Sequence, residues 1–495
     1  MTAAKSLKAG WILLFAGVLA KAIGAFYRLP LTNLLGAKGM GGYQLVFPVY
    51  ALVLALTSSA MPLLLSRQIA KDGRFGYAVF RSGLKVLALT GVSGGVLLAA
   101  LAYPLARLQG FPAMWWGYLA LAPAVPLVAI AAAFRGWFAA SLHAGTLATV
   151  SLVEQVVKLS GLLFAYLLSA KGLVWQTVGA LLGVTVAEGA SLAWLVVSYF
   201  AFGYRLSRPE VKVGFLPVWK ASVPITASNM IAPLTQFADS MLLVNLLVLY
   251  GWDKGESVGL YGVWSGAVGT LLTAPVVLTF SFATMVVPAL SKAKAQRDMT
   301  AIKGSSLDTL RTVLAISLPA AVGLALVAPR LVPVLYPALS SAERSLAVLL
   351  LTVGCASIPL TCLQQLYGAM LNALDRSETV VKHLLVAAGV KVALSLVLLR
   401  VGIVGATIAN LIGVVLAFAL NATSYYRLVG RFASPRRLWT VVGATAAMAA
   451  VIAPISYFFD NNIPSVVLCC LLGGAVYATI LFATSKRRRA LTLGG

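Results

Sequence analysis

Apolar runs of about 20 residues, parted by short polar or Gly/Pro-containing breaks, recur along almost the whole chain. A bilayer core of roughly 30 Å demands that length of each spanning helix. The pattern predicts helices near 9–29, 43–65, 83–105, 114–138, 146–169, 173–202, 219–248, 258–290, 311–335, 345–370, 379–399, 401–426, 438–458 and 464–484. The expected fold class is therefore an all-α polytopic membrane protein with fourteen transmembrane helices joined by short connections. Lys5 and Lys8 precede the first run as the basic start of a signal peptide would. That run is long, carries Lys21 and lacks a small-x-small cleavage site before a soluble domain, so it reads as an uncleaved first helix.

Composition supports the same class: 60% of the residues are hydrophobic and 10% charged. An ordinary soluble domain is roughly 45–50% apolar and about 25% charged. Cys355, Cys362, Cys469 and Cys470 all fall inside apolar runs. Without the paired spacing of a zinc or disulfide framework they read as small buried packing residues.

A net charge of +25 would suit a nucleic-acid binder if the cations clustered on a soluble domain. They sit instead between apolar runs, so no nucleic-acid partner is expected and their placement reads as topology. With the N-terminus inside, the cytoplasmic side receives Arg67, Lys71, Arg74, Arg81 and Lys85, then Arg205, Arg208, Lys212 and Lys220. Lys292, Lys294, Arg297, Lys303 and Arg311 follow, then Arg376, Lys382, Arg427, Arg431, Arg436 and Arg437, and the tail Lys486, Arg487, Arg488 and Arg489. The outer segments hold few cations: Lys38, Arg107, Lys171, Lys254 and Arg344, with Arg330 and Arg400 near span ends. This obeys the positive-inside rule with both termini cytoplasmic, and it places the basic residues against anionic lipid.

The chain also repeats itself. Lys8-Ala9 opens the first span as Lys220-Ala221 opens the seventh, and at the same offset Leu31-Thr32-Asn33-Leu34-Leu35 matches Leu243-Val244-Asn245-Leu246-Leu247. Pro126 pairs with Pro359, and Val157-Lys158 with Val390-Lys391, again at one spacing. Two six-span halves explain this, giving domains at 1–210 and 211–430, with 431–495 as two extra helices and a basic tail. Halves with an even number of spans share one orientation, as in parallel-repeat transporters that rock about a central cavity.

Charged residues inside the spans carry the candidate chemistry: Lys21, Arg28, Arg135, Lys158 and Lys391, with Glu154, Glu188 and Asp239. Each costs about 2.5–3.5 kcal/mol at a helix centre on insertion scales, so each needs a water-filled cavity or a partner. Lys21 and Arg28, seven residues apart, share a helix face about 10 Å long. Arg28 either joins that face or snorkels to the outer interface. Glu154 and Lys158 stand in the favourable i,i+4 order for an ion pair, which is one account of both. Lys391, the repeat mate of Lys158, has Ala387 at the corresponding place, which makes it the stronger ligand candidate. Arg135 is either topological or part of the cavity. Glu188, among Val186, Ala187, Gly189 and Ala190, reads as a packing residue or a proton path. The repeat sets Tyr27-Arg28 against Asp239-Ser240, which suits an inter-lobe pair or a permanent ion pair. Five cations against three acids favour an anionic substrate, phosphate or pyrophosphate above all.

No G-x-x-x-x-G-K-[ST] loop is present, and His143 and His383 stand alone at helix ends, so neither a nucleotide-hydrolysing enzyme nor a metal or other cofactor is expected.

These residues also form a resemblance. Lys21-Ala22-Ile23-Gly24, Tyr27-Arg28-Leu29-Pro30-Leu31-Thr32 and Leu35-Gly36-Ala37-Lys38-Gly39-Met40-Gly41-Gly42-Tyr43-Gln44-Leu45 come first. Arg135-Gly136-Trp137-Phe138, Val153-Glu154-Gln155, Asp239-Ser240 and Tyr261-Gly262 follow, then Val286-Val287-Pro288-Ala289-Leu290-Ser291 and Leu318-Pro319-Ala320-Ala321-Val322-Gly323. In this order they resemble the polysaccharide-transport branch of the multidrug/oligosaccharidyl-lipid/polysaccharide exporter superfamily, which includes proteins of the stage V sporulation protein B type and is related to lipid II flippases. The resemblance implies a fourteen-span, two-lobe flippase in the bacterial plasma membrane. Its partner would be a lipid-linked oligosaccharide, an undecaprenyl-pyrophosphate-linked glycan such as lipid II. Lys21, and Arg28 with it, looks similar to the first-helix cations of lipid II flippases. The chain departs from them late in the second span, where Ser58-Ser59-Ala60-Met61 replaces a cavity arginine. On this reading Lys21, Arg28 and Lys391 hold the pyrophosphate and a monomer suffices. The alternatives are a cation-coupled multidrug antiporter and a non-transporting envelope-assembly scaffold.

Overall fold

In the computed structural model of the chain, residues 3–70, 73–204, 223, 226, 229–430, 436–458 and 463–493 are described. Among them every regular element is a helix. Lys71, Arg205, Arg208, Lys212, Lys220 and Arg431, expected to orient the chain, lie outside the described residues. So do the side chains of Lys5, Lys8, Lys21, Arg74, Arg436, Arg437 and Lys486 through Arg489.

The first two expected spans form one run of helix, α1 (Ala3–Thr57), interrupted only at Gly36, where φ is 64° and ψ −178°. Straight, its 55 residues would reach about 80 Å, far more than one bilayer core. Glycine alone adopts that pairing of angles without strain. By length and composition twelve described helices can cross a membrane, or thirteen with the bent pair Ser341–Gly354 and Ser357–Ala373 taken as one. The expected fourteen counts α1 as two spans, whereas a single stretch, Ala22–Ile69, passes this test there.

Two compact units follow, Met1–Gly262 and Val263–Gly495. In the first unit α1 is followed by α2 (Met61–Ile69), α3 (Gly73–Ala100), α4 (Ala102–Leu108), α5 (Trp115–Leu121) and α6 (Ala124–Ala140). Then come α7 (Ala144–Lys158), α8 (Ser160–Leu167), α9 (Leu173–Ala201), α10 (Ile231–Leu249) and α11 (Lys254–Tyr261). Helices α10 and α11 pack on α1, which is why they belong to this unit. The contact of α11 is made by backbone: a Cβ on Gly41 would lie 2.0 Å from the Val258 carbonyl oxygen, and one on Gly262 2.0 Å from that of Ala37. Asp253 caps α11, its carboxylate accepting from the Gly255 and Glu256 amides. Those amides, Glu256 first, hold it below the usual aspartate range.

The second unit contains α12 (Gly269–Ala295), α13 (Met299–Leu335), α14 (Ser341–Gly354), α15 (Ser357–Ala373), α16 (Ser377–Leu398), α17 (Ile403–Val429), α18 (Arg436–Phe458) and α19 (Ile463–Leu493). A π-helix, Gly262–Val268, leads into it. Helix α13 starts well before the expected 311, because Asp298 caps it by accepting from the Ala301 amide at 2.9 Å. The last two helices pack on α13 through Val327, Met448, Ile452, Val466 and Cys469. Cys355, Cys362 and Cys469 are buried as expected, but Cys470 is exposed, because it points away from the face of α19 that meets α18.

Candidate functional site

Each polar side chain of the first unit is placed by a helix whose small residues let its neighbours close in. Helices α8 and α9 touch at Gly161 and Gly183, where a Cβ on Gly183 would meet the Gly161 Cα at 2.2 Å. This brings α9 beside α7, and α7 in turn packs on α1. Arg135 of α6 then reaches both: its Nη2 donates to Glu154 Oε2 at 2.6 Å and to Ser191 Oγ at 3.0 Å. Gln155 Nε2 donates to the other Glu154 oxygen at 3.2 Å. The Gln155 side chain lies against α1 where residue 24 has no side chain, since a Cβ there would sit 2.8 Å from its Oε1. Three motif pieces far apart in the chain, around Gly24, Arg135 and Glu154, thus meet.

The sequence offered Glu154 and Lys158 as an i,i+4 ion pair. The structure replaces it: Glu154 is held by Arg135 and Gln155, and the Lys158 ammonium lies 5.4 Å from the Phe47 ring centroid and 5.9 Å from that of Tyr27. A bidentate-capable guanidinium outcompetes a flexible ammonium for the carboxylate, and the aromatic faces of α1 accept the ammonium instead. Arg28 is half-buried on the same side and acts electrostatically on Lys158, Tyr27 and Tyr43. Among the described residues neither Arg28 nor Lys158 forms a salt bridge. Glu188, also half-buried, makes no described hydrogen bond or salt bridge and interacts electrostatically with Glu154, Arg135 and Lys158. Tyr50 is buried at 2% exposure with its hydroxyl unpartnered, within electrostatic reach of Glu188 and Glu154. Arg135 is thereby part of this cluster rather than a topological cation alone.

Lys21 belongs to α1, but its side chain is outside the described residues. Asp239 is buried on α10, and next to it Ser240 accepts from Gln109 Nε2 at 3.1 Å, a side chain also bonded to Tyr118. Lys391 lies in the second unit, buried, its ammonium 5.9 Å from the Trp264 ring centroid. Trp264, on the π-helix, donates to Thr407 Oγ1 at 3.1 Å. The histidines are less isolated than their positions suggest. His383 bonds Asn421 at 2.8 Å, and His143 packs among Phe138, Phe202 and Tyr204.

Phe47, Tyr50, Tyr27 and Ser191 complete the cluster without having been singled out as site residues. Tyr43, Phe47 and Tyr50 carry a signal, an aromatic face at helical spacing that leads toward the charged residues. Ser191 carries none, since its role exists only once α6 and α9 are side by side.

Comparison with known proteins yields a consistent set of likenesses. The family model described as polysaccharide biosynthesis protein matches residues 6–294, and that of the lipid II flippase MurJ matches residues 267–472. Stage V sporulation protein B of Bacillus subtilis (strain 168) is 27% identical over 86% of this chain and 84% of its own length. Lipid II flippase MurJ of the same organism is 22% identical over 96% and 94%. Among solved structures, an inward closed lipid II flippase MurJ superposes with a TM-score of 0.72 at 16% identity, covering 99% of this chain and 100% of that one. An inward-facing multidrug resistance MATE family transporter of the MOP superfamily gives 0.69 at 14%, covering 83% and 94%.

Proposed function

We propose, from the premise that this chain belongs to the polysaccharide biosynthesis protein family, that it is a flippase for an undecaprenyl-pyrophosphate-linked glycan, lipid II or a related cell-envelope precursor. It works by alternating access in the bacterial plasma membrane, as a monomer with both termini cytoplasmic and its basic loops against anionic lipid. One observation carries the reading: the Lys158 ammonium lies against the Phe47 and Tyr27 rings, and neither it nor Arg28 forms a salt bridge among the described residues. Cations in a low-dielectric wall without a salt-bridge partner are costly, and a bound anion offsets that cost. A pyrophosphate offers such an anion and several acceptor oxygens. The half-buried Phe47 ring beside Lys158 gives the glycan an apolar face. Lys21 and Lys391 are the further candidate cations of the two halves, and the sequence-level division at 210 and 430 gives the moving halves. Asp239, Glu188 and Glu154 supply the acids through which a membrane potential or cation gradient acts.

The test is reconstitution into liposomes with a fluorescent prenyl-pyrophosphate glycan, comparing the wild type with Lys158→Ala and Lys21→Ala. Accelerated translocation that falls at least tenfold in the variants is expected. Translocation equal to protein-free liposomes, alongside exchange of a drug cation, would replace the reading by that of an antiporter.

A further inference from the structure

Among Arg28, Arg135, Lys158, Glu154 and Glu188, the charged side chains described in this cluster, pairing leaves one acid over. Arg135 and Glu154 neutralise each other at 2.6 Å, with Ser191 and Gln155 completing their hydrogen bonds. What remains is Arg28, Lys158 and Glu188, a net charge of about +1 with Glu188 ionised and about +2 with it protonated. Glu188 stands on α9 one turn before Ser191, which accepts from Arg135; no described side chain donates to Glu188, and Tyr50 of α1 has a buried hydroxyl with no partner. Of the other charged or titratable groups on α9 and the elements around it, Lys38 and Lys171 are exposed and Tyr199 is buried among aromatic rings. Helix α7 brings Glu154 and Lys158, α6 brings Arg135, and α1 brings Tyr27, Arg28, Tyr43 and Tyr50, with Lys21 outside the described side chains. Tyr118 of α5 is bonded to Gln109, and Tyr166 of α8 is exposed.

We propose that Glu188 is a proton-binding site that fills together with the anion, so that one proton and one pyrophosphate-class headgroup load the first unit as co-ligands rather than in exchange. An ionised Glu188 competes with the headgroup for Lys158, and a proton on it removes the competitor. By reciprocity the bound anion makes the protonated carboxyl the favoured form. Proton and headgroup thus travel the same way, so an inward proton gradient opposes outward movement and the inside-negative membrane potential, acting on the net negative charge that remains, is the drive that favours it. This rests on the reading that the unit holds an anionic lipid headgroup.

The test uses the full chain in lipid nanodiscs with farnesyl pyrophosphate as the probe. Calorimetry in buffers of different ionisation enthalpy reads proton uptake, and affinity is followed over pH. In the wild type about one proton is taken up per probe bound, beyond the probe's own titration, and affinity rises by up to about tenfold per pH unit of acidification. In Glu188→Gln that uptake disappears, and affinity at alkaline pH matches or exceeds the wild type's. Uptake that persists in Glu188→Gln overturns the proposal and leaves the flippase reading intact. A wild type that binds no probe at any pH overturns both. Should the variant fail to fold, infrared difference spectra of the wild type decide. A protonated-carboxyl band that appears with the probe supports the proposal, and its absence sinks it.

Discussion

Replacing Glu154 by Ala strands Arg135 beside Ser191 with its carboxylate gone, in a place where both partners are about two-thirds or more removed from solvent. The expected cost is about 1–3 kcal/mol, that of a hydrogen bond to a charged group left unmade. It reads as a lower thermal midpoint in detergent, and Arg135→Ala/Glu154→Ala together should lose less than the sum of the singles. Lys158→Ala should leave that midpoint nearly unchanged, because the ammonium makes no salt bridge there, while weakening binding of a prenyl pyrophosphate by tenfold or more. At this scale the sequence displayed which residues bear charge, since a charge inside an apolar run is conspicuous. It did not display whom they meet: the i,i+4 rule is local, and the partner that wins Glu154 lies 19 positions away on another helix.

The helical class and the rough placement of the spans were legible because the apolar runs are long, whereas the joins and the helix ends were not. The expected connection at 30–42 is helix on both sides of a single glycine, and the basic stretch near 300 is the capped start of α13. Both outcomes depend on one residue's backbone or side chain rather than on hydrophobic periodicity. The cap on α11 makes a pH prediction. Because Asp253 is held below its ordinary range, its contribution is complete at neutral pH and fades as pH falls through the folded value. Asp253→Ala should therefore lower the thermal midpoint at pH 7 and converge with the wild type in acid. Gly262→Leu should be more damaging, since its side chain would enter the Ala37 carbonyl. Overpacking of this kind costs about 1–3 kcal/mol or more, seen as poor yield of monodisperse protein.

Over the whole chain the repeat proposes halves divided near 210, while packing gathers α10 and α11 with the residues before them. No periodicity reports that, because it follows from Gly41 and Gly262 letting α1 and α11 meet backbone to backbone. Side-chain interfaces adjust by rotamer changes and can slip by degrees, but a seam of carbonyls against glycines has no rotamers to change. Such a seam is expected to part, if it parts, in a step rather than a drift. Spin labels at Lys38→Cys and Lys254→Cys, both exposed, in a Cys470→Ser background should then give two separated distance populations whose weights shift with substrate. A single population whose mean slides continuously would show the seam to be soft.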